Sequence, residues 1–178
     1  MNYHKICKEI LTNLNYTPKI LLHSCCAPCS SQVITLLTEY FDITILYYNP
    51  NIYPKDEYIK RKEEQIKLIN EIEHKNKIDI IDCDYENNIY ENTIKGLENE
   101  PEGGKRCQQC FILRLEKAAK KEKKYNIKWL PSDYKKEEGY KKSIELSKKY
   151  NLYRQDYCGC KYSIRKETQE KNNYSWGE

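Results

Sequence analysis

No stretch of the 178-residue sequence approaches the roughly 18 to 20 consecutive apolar residues that cross a bilayer. The first residues alternate charged and apolar side chains and lack the continuous apolar region of a secretory signal. These absences predict a soluble, cytoplasmic protein with no membrane partner. Charge of one sign is also missing: 31 basic against 27 acidic side chains leave a net charge of +4. That excess permits RNA binding without marking a polyanion-binding protein by itself. With no internal repeat and no low-complexity linker, the length predicts one domain over residues 1–178. Nor does the first apolar run lead into a Ser-Gly-Gly-rich loop that would cradle ATP phosphates, which argues against a nucleotide-dependent thiolating enzyme.

Cysteine is what the chain has instead. Seven of the nine fall into three tight groups: Cys25-Cys26-Ala27-Pro28-Cys29, Cys107-Gln108-Gln109-Cys110 and Cys158-Gly159-Cys160. In a reducing compartment clustered thiols are metal ligands or catalytic dithiols more often than structural disulfides, and an odd total speaks against a disulfide framework. Cys7 and Cys83, outside the groups, read as bystanders. The 17 tyrosines could stack on bases, yet their enrichment together with Lys, Asn and Ile fits coding bias in an AT-rich genome.

Apolar runs at residues 19–24, 43–48 and 78–82 predict three strands. The first stops at a cysteine loop, after which residues 31–37 continue with helical spacing. The second ends in Asn49-Pro50-Asn51, and after Pro54 a long charged helix carrying apolar Tyr58, Ile66, Ile69 and Ile72 runs to about His74. Helices are predicted over 89–97, 107–123 and 140–150, with Pro101-Glu102-Gly103-Gly104 as a break. The basic run at 117–128 reads first as a solvated helix end. The fold class is therefore α/β: a parallel sheet with helices on both faces, a HUP/Rossmann-like three-layer arrangement, with a helical, cysteine-bearing C-terminal half. Ligands in such folds bind beyond the carboxyl ends of the strands, where the first cysteine group and Asn49-Pro50-Asn51 both lie.

A helix N-terminus favours thiolate through its unpaired N–H groups and dipole, so Cys25, Cys26 and Cys29 are primed to bind metal or to attack. Cys-Ala-Pro-Cys also resembles a thioredoxin-like dithiol motif, although such proteins need no second and third thiol group. A non-catalytic structural zinc site is the other alternative, and Cys107 with Cys110, on one face of a helix start, would suit it. Adjacent cysteines such as Cys25 and Cys26 suit an iron–sulfur cluster better, because it offers separate metal corners, and seven thiols exceed what one zinc uses. Cys158-Gly159-Cys160 would close a small strained disulfide ring of the labile, catalytic kind, or serve as metal ligands. His23 reads as a hydrogen-bonded core histidine. Asp156 reads as a metal ligand, a proton donor or a turn former. Arg61, Arg106, Arg114 and Arg154 stand near the motifs in a lysine-dominated chain and suit phosphate recognition. Asn49, Asn51, Tyr48 and Arg154 are the candidate substrate contacts.

Taken together, the segments 22–30, 47–52, 96–110, 139–143 and 152–160 resemble the cobalamin-independent epoxyqueuosine reductase family, the QueH type. The resemblance extends from Lys19 to Ser163. It implies reduction of epoxyqueuosine to queuosine at the wobble position of a tRNA anticodon, with loss of water and electrons from an external donor. It also implies a 4Fe-4S cluster on Cys25, Cys26, Cys107 and Cys110, and a redox-active pair, Cys158 and Cys160. A second mononuclear iron or zinc ion is further implied, for which Cys29 and Asp156 are candidates. The chain departs from the family in one place. Between the helix carrying the second cysteine pair and Leu130-Pro131-Ser132, relatives carry an additional segment of roughly one strand and one helix; here Ala118-Ala119-Lys120 runs almost directly into Tyr125-Asn126-Ile127.

Overall fold

The structure is a computed structural model that describes residues 3–125, 139–155 and 157–163. After helix α1 (Tyr3–Thr12), which the sequence reading did not anticipate, strand β1 (Lys19–His23) leads into α2 (Ala27–Leu37), β2 (Asp42–Tyr47), α3 (Lys55–Glu71) and β3 (Ile78–Asp82). Helices α4 (Asn87–Thr93), α5 (Lys105–Tyr125) and α6 (Gly139–Lys149) follow. The three strands are parallel, in the order β1-β2-β3, with Leu22, Ile45 and Ile80 in register. The expected α/β architecture is present.

Alternation along β2 explains the layers, because successive side chains of a strand point to opposite faces. Ile43 and Ile45 enter the largest apolar cluster with Ile34 and Leu37 of α2 and Leu68 of α3. Tyr47, on the same face, meets Tyr58 of α3. Leu46 and Tyr48 face the other way, against Leu113 and Ala118 of α5. Helices therefore cover both faces, and α6 packs against α2. The two crossovers share one face, as right-handed βαβ units with strands in sequential order must.

Local sequence sets the helix starts that matter for the site. Cys26 is the N-cap of α2, in an extended conformation with φ −162°, and proline in the first turn suits the helix start because its missing N–H would be unbonded there. The helix thus begins at residue 27, four residues earlier than its apolar periodicity suggested. Helix α3 carries Asp56 and Glu57 in its first turn, where the dipole favours acidic groups. Its buried stripe is Tyr58, Arg61, Gln65 and Leu68, at helical spacing. Of the expected apolar side, Tyr58 and Ile72 are buried and Ile69 packs against the core, while Ile66 is 38% exposed and polar Arg61 and Gln65 share the inner face.

Ile45 is fully buried in the middle strand. Ile45→Ala should cost about 2–5 kcal/mol, the usual range for truncating a core isoleucine. Equilibrium urea denaturation would measure it, and a loss below about 1 kcal/mol would show that the sheet face is not the centre of the core.

Candidate redox and metal centre

The first cysteine group lies where β1 ends and α2 begins. Cys26 is buried, Cys25 half-buried and Cys29 exposed. The Cys26 thiol hydrogen-bonds both neighbours and keeps its proton, so its pKa is raised, first by the bond to Cys25, then by that to Cys29 and by burial. Cys25 is correspondingly lowered to about 6: the Cys26 hydrogen bond, helped by Arg114 and Arg61, outweighs its burial. Cys29 is lowered for the same first reason, with Arg154 and Arg61 contributing. Cys26 is thus the sulfur that holds its proton most tightly, while Cys25 and Cys29 are shifted toward thiolate.

Beneath it runs a polar lattice. Ser24 Oγ and Ser30 Oγ both donate to Oε1 of fully buried Gln65, at 2.6 and 3.0 Å. Asn49 Nδ2 donates to the Ser24 carbonyl at 2.8 Å, tying the end of β2 to the end of β1. Asn49 Oδ1, Asn51 Oδ1, Gln65 Nε2 and Arg61 Nη2 are buried without a hydrogen-bond partner, so the strand ends hold unused polar capacity. His23 Nε2 lies 2.9 Å from the Tyr48 carbonyl, and burial lowers its pKa to about 4. It is a neutral core histidine, as its position suggested.

The second pair opens α5. Cys107 Sγ accepts the Gly103 N–H at 3.2 Å, and Gly103 has φ +85°, a conformation that favours glycine. Buried Arg106 donates to the Glu98 carbonyl at 2.9 Å and to that of Glu100, fixing the preceding turn under the helix. Cys110 is buried, which pushes its thiol up to about 11.

The third group meets the other two. Cys160 shares an apolar cluster with Cys110, Tyr90 and Ile94, and its Sγ lies 3.0 Å from the Tyr90 hydroxyl. Cys158 has a raised pKa, chiefly because the atoms around it withhold water, with Cys160 and Cys25 adding negative charge. Cys110 senses Cys158, Cys160 and Cys107 in the same way. Arg114 of α5 acts on Cys25, Cys110 and Cys158, one from each group. Three segments far apart in sequence therefore share one electrostatic site.

Other anticipated residues fall at differing depths. Tyr48, Asn49 and Asn51 are all buried, and Tyr48 packs with Leu46 and Cys83 while Lys117 lies over its ring at 4.6 Å. Arg154 reaches Ser147 Oγ at 3.4 Å. Cys7 and Cys83 are buried, Cys83 packing with Leu46 and Tyr48, and no disulfide links any of the nine cysteines. Asp156 lies outside the described residues. Among the described residues no three His, Cys, Asp or Glu side chains converge on a single ion position; the cysteines of a 4Fe-4S cluster bind separate irons. Cys25, Cys26, Cys107 and Cys110 are thiol donors of the kind such a cluster uses, and the Arg114 charge acts on Cys25 and Cys110. Gln65 and Tyr90 escaped the sequence reading. For Gln65 the available signal was a polar residue interrupting the buried stripe of α3.

Three thiol segments gathered at the carboxyl ends of a parallel sheet define a cysteine-rich α/β protein. The family model of epoxyqueuosine reductase QueH matches residues 20–126 and 119–166, and the chain belongs to that family, a family of oxidoreductases. It is 39% identical to epoxyqueuosine reductase QueH of Staphylococcus epidermidis, with 94% of this chain and 86% of the relative covered. The protein of that name from Streptococcus pyogenes serotype M1 is 36% identical, with 93% and 79% covered. That from Acinetobacter baylyi is 39% identical, with 83% and 81% covered. The alignment to the Staphylococcus epidermidis protein runs over 205 residues, more than the chain contains. The relative therefore carries positions without a counterpart here. The family match divides into two stretches that meet at 119–126, where the resemblance anticipated a missing strand and helix.

In reduced, metal-free protein, iodoacetamide should modify Cys25 at a rate that is flat above about pH 6 and falls tenfold per pH unit below it, because a lowered thiol pKa leaves thiolate populated above that value. Mass spectrometry of the peptide would follow it; a midpoint at the ordinary thiol value near 8.5 would remove the Cys26 hydrogen bond from the account.

Proposed function

We propose that the protein reduces epoxyqueuosine to queuosine at the wobble position of tRNA, the last step of queuosine formation, drawing electrons through its three cysteine groups. The observation that carries this reading is the joining of the third cysteine group to the other two, with Cys160 packed in one cluster with Cys110 and bridged to Ile52 just beyond β2, in a chain of the epoxyqueuosine reductase family.

Converting an epoxide to an alkene takes two electrons and two protons and releases water. Two thiols becoming one disulfide release two electrons and two protons, so Cys158 and Cys160 match the stoichiometry. Their environments differ in a useful way. Cys158 is exposed, within reach of an external electron donor that would restore the dithiol. Cys160 is buried and faces the Tyr90 hydroxyl, whose own pKa is raised by burial and by Cys160. Tyr90 therefore keeps its proton and can donate a hydrogen bond to a Cys160 thiolate. Cys25, Cys26, Cys107 and Cys110 would hold a 4Fe-4S cluster, which supplies electrons one at a time when bound. Cys29, exposed next to that set, and Asp156 are candidates to hold a second ion.

The target base sits in an anticodon loop, the kind of single-stranded element whose bases proteins splay out and stack. Tyr47 and Tyr48 are core residues here, whereas Tyr153 and Tyr157 keep partly exposed rings beside the third cysteine group. Those two are the stacking candidates. Asn49 and Asn51, just beyond β2, and Arg154, whose charge acts on Cys29, are the candidate polar contacts.

Anaerobically purified protein should be brown and contain about four irons with matching sulfide. The double substitution Cys158→Ser and Cys160→Ser should leave the visible absorbance intact and abolish turnover of epoxyqueuosine tRNA; unimpaired turnover would sink the dithiol role. A colourless protein containing only zinc would replace the redox reading with a structural one. Affinity for tRNA should drop about tenfold or more between 50 and 200 mM salt if only a few phosphates are contacted, as a filter-binding titration would reveal. A flat response would count against tRNA.

A further inference from the structure

Arg61 lies in the middle of α3, at 2% exposure, and nothing in an ordinary helix–sheet packing calls for a guanidinium there. Its charge is held from one side by Glu57, whose Oε1 accepts the Nε–H at 2.6 Å. Burial opposes that charge, but the Glu57 bond outweighs it and raises the Arg61 pKa. Glu57 is itself fixed by the Tyr153 hydroxyl, which donates to its two oxygens at 3.3 and 3.1 Å. The Tyr157 ring covers the guanidinium with its centroid 5.0 Å from Cζ. The remaining contact is the informative one: Nη1 donates to the Cys158 carbonyl at 3.3 Å.

The following residues of that loop are pinned in turn. The Gly159 carbonyl accepts the Tyr53 N–H at 2.9 Å, and Cys160 forms an antiparallel bridge with Ile52. Gly159 has φ +91°, and a Cβ placed on it would lie 2.8 Å from Arg61 Nη1 and 3.0 Å from Cζ. A side chain at 159 and the Arg61 guanidinium cannot occupy that space together. Arg61 also lowers Cys25 and Cys29, so the residue that touches the third cysteine group is felt by the first.

We propose that Arg61, anchored by Glu57, is the positioning residue of the Cys158-Gly159-Cys160 loop and holds it in the dithiol state. The proposal rests on the reading of Cys158 and Cys160 as a redox pair. Both are thiols in the structure, and each backbone anchor keeps the loop in that geometry. Forming the disulfide closes a small ring that needs backbone adjustment. Removing one anchor lets the loop follow, which favours the oxidised form. The exchange is balanced: one oxidised glutathione and the two thiols give the Cys158–Cys160 disulfide and two reduced glutathiones.

The test equilibrates the full-length, anaerobically purified protein with glutathione buffers and reads the oxidised fraction of the peptide carrying Cys158 and Cys160 by alkylation and mass spectrometry. Arg61→Lys keeps the charge but loses the planar fork that spans Glu57 and the carbonyl. It should raise the equilibrium constant for disulfide formation at least tenfold, a shift of about 30 mV for a two-electron couple. Gly159→Ala, which pushes the guanidinium away, should move it in the same direction. Iron content should stay at the wild-type level in both. An unchanged constant in both variants overturns the proposal, and so does Arg61→Lys that lowers only the melting temperature. If the variants shift the constant while Cys158→Ser with Cys160→Ser still reduces epoxyqueuosine tRNA at full rate, the positioning role holds and the proposed use of the pair fails. If wild type and both variants all stay reduced at every glutathione ratio, the pair is not redox-active, and the proposed use of it fails together with the positioning role.

Discussion

The parallel pairing of β2 between β1 and β3 is the constraint on which the site depends. Parallel strands all leave the sheet at the same edge, so the segments that follow β1 and β2 are neighbours whatever their distance in sequence. Residues 24–30 and 49–53 thereby share a floor, made explicit by the hydrogen bond from Asn49 to the Ser24 carbonyl. The last cysteine group joins by extending that floor, through the bridge between Ile52 and Cys160 and the bond from Tyr53 to Gly159. Helix α5, packed on the opposite face against Leu46 and Tyr48, brings Cys110 to the same edge.

Gathering thiols in a partly buried site creates an electrostatic problem that the arginines answer. Thiolates close together raise one another's pKa, and burial adds to it. The charge of Arg114 acts on sulfurs of all three groups, and those of Arg61 and Arg154 act on the first. Within the first group the problem is also solved locally, since hydrogen bonding to Cys26 lowers both Cys25 and Cys29. The resulting shifts run in both directions, down at Cys25 and Cys29 and up at Cys26, Cys110 and Cys158.

The three strands, the parallel sheet and the long helices could be read from periodicity because each is a local pattern repeated over several residues. The start of α2 could not, since Cys26 caps it without any side-chain hydrogen bond and residues 27–30 carry no apolar repeat. The inner face of α3 was misjudged at Ile66 for a related reason. Apolar character suggests burial, but Arg61 and Gln65 take those positions because their partners, Glu57, the Cys158 carbonyl, Ser24 and Ser30, satisfy them there. Such satisfaction is a property of three segments at once and leaves no mark on any one of them.

By itself the sequence determined the inventory and its class: seven clustered thiols, a parallel α/β frame and the motifs of the epoxyqueuosine reductase family, all carried by residue type and spacing along the chain. Which sulfur keeps its proton, which arginine faces which cysteine and what pins the Cys158-Gly159-Cys160 loop were decided only by tertiary structure. Charge interaction and hydrogen bonding depend on distance in space, and the residues concerned, such as Arg61 and Cys158, lie nearly a hundred positions apart in the chain.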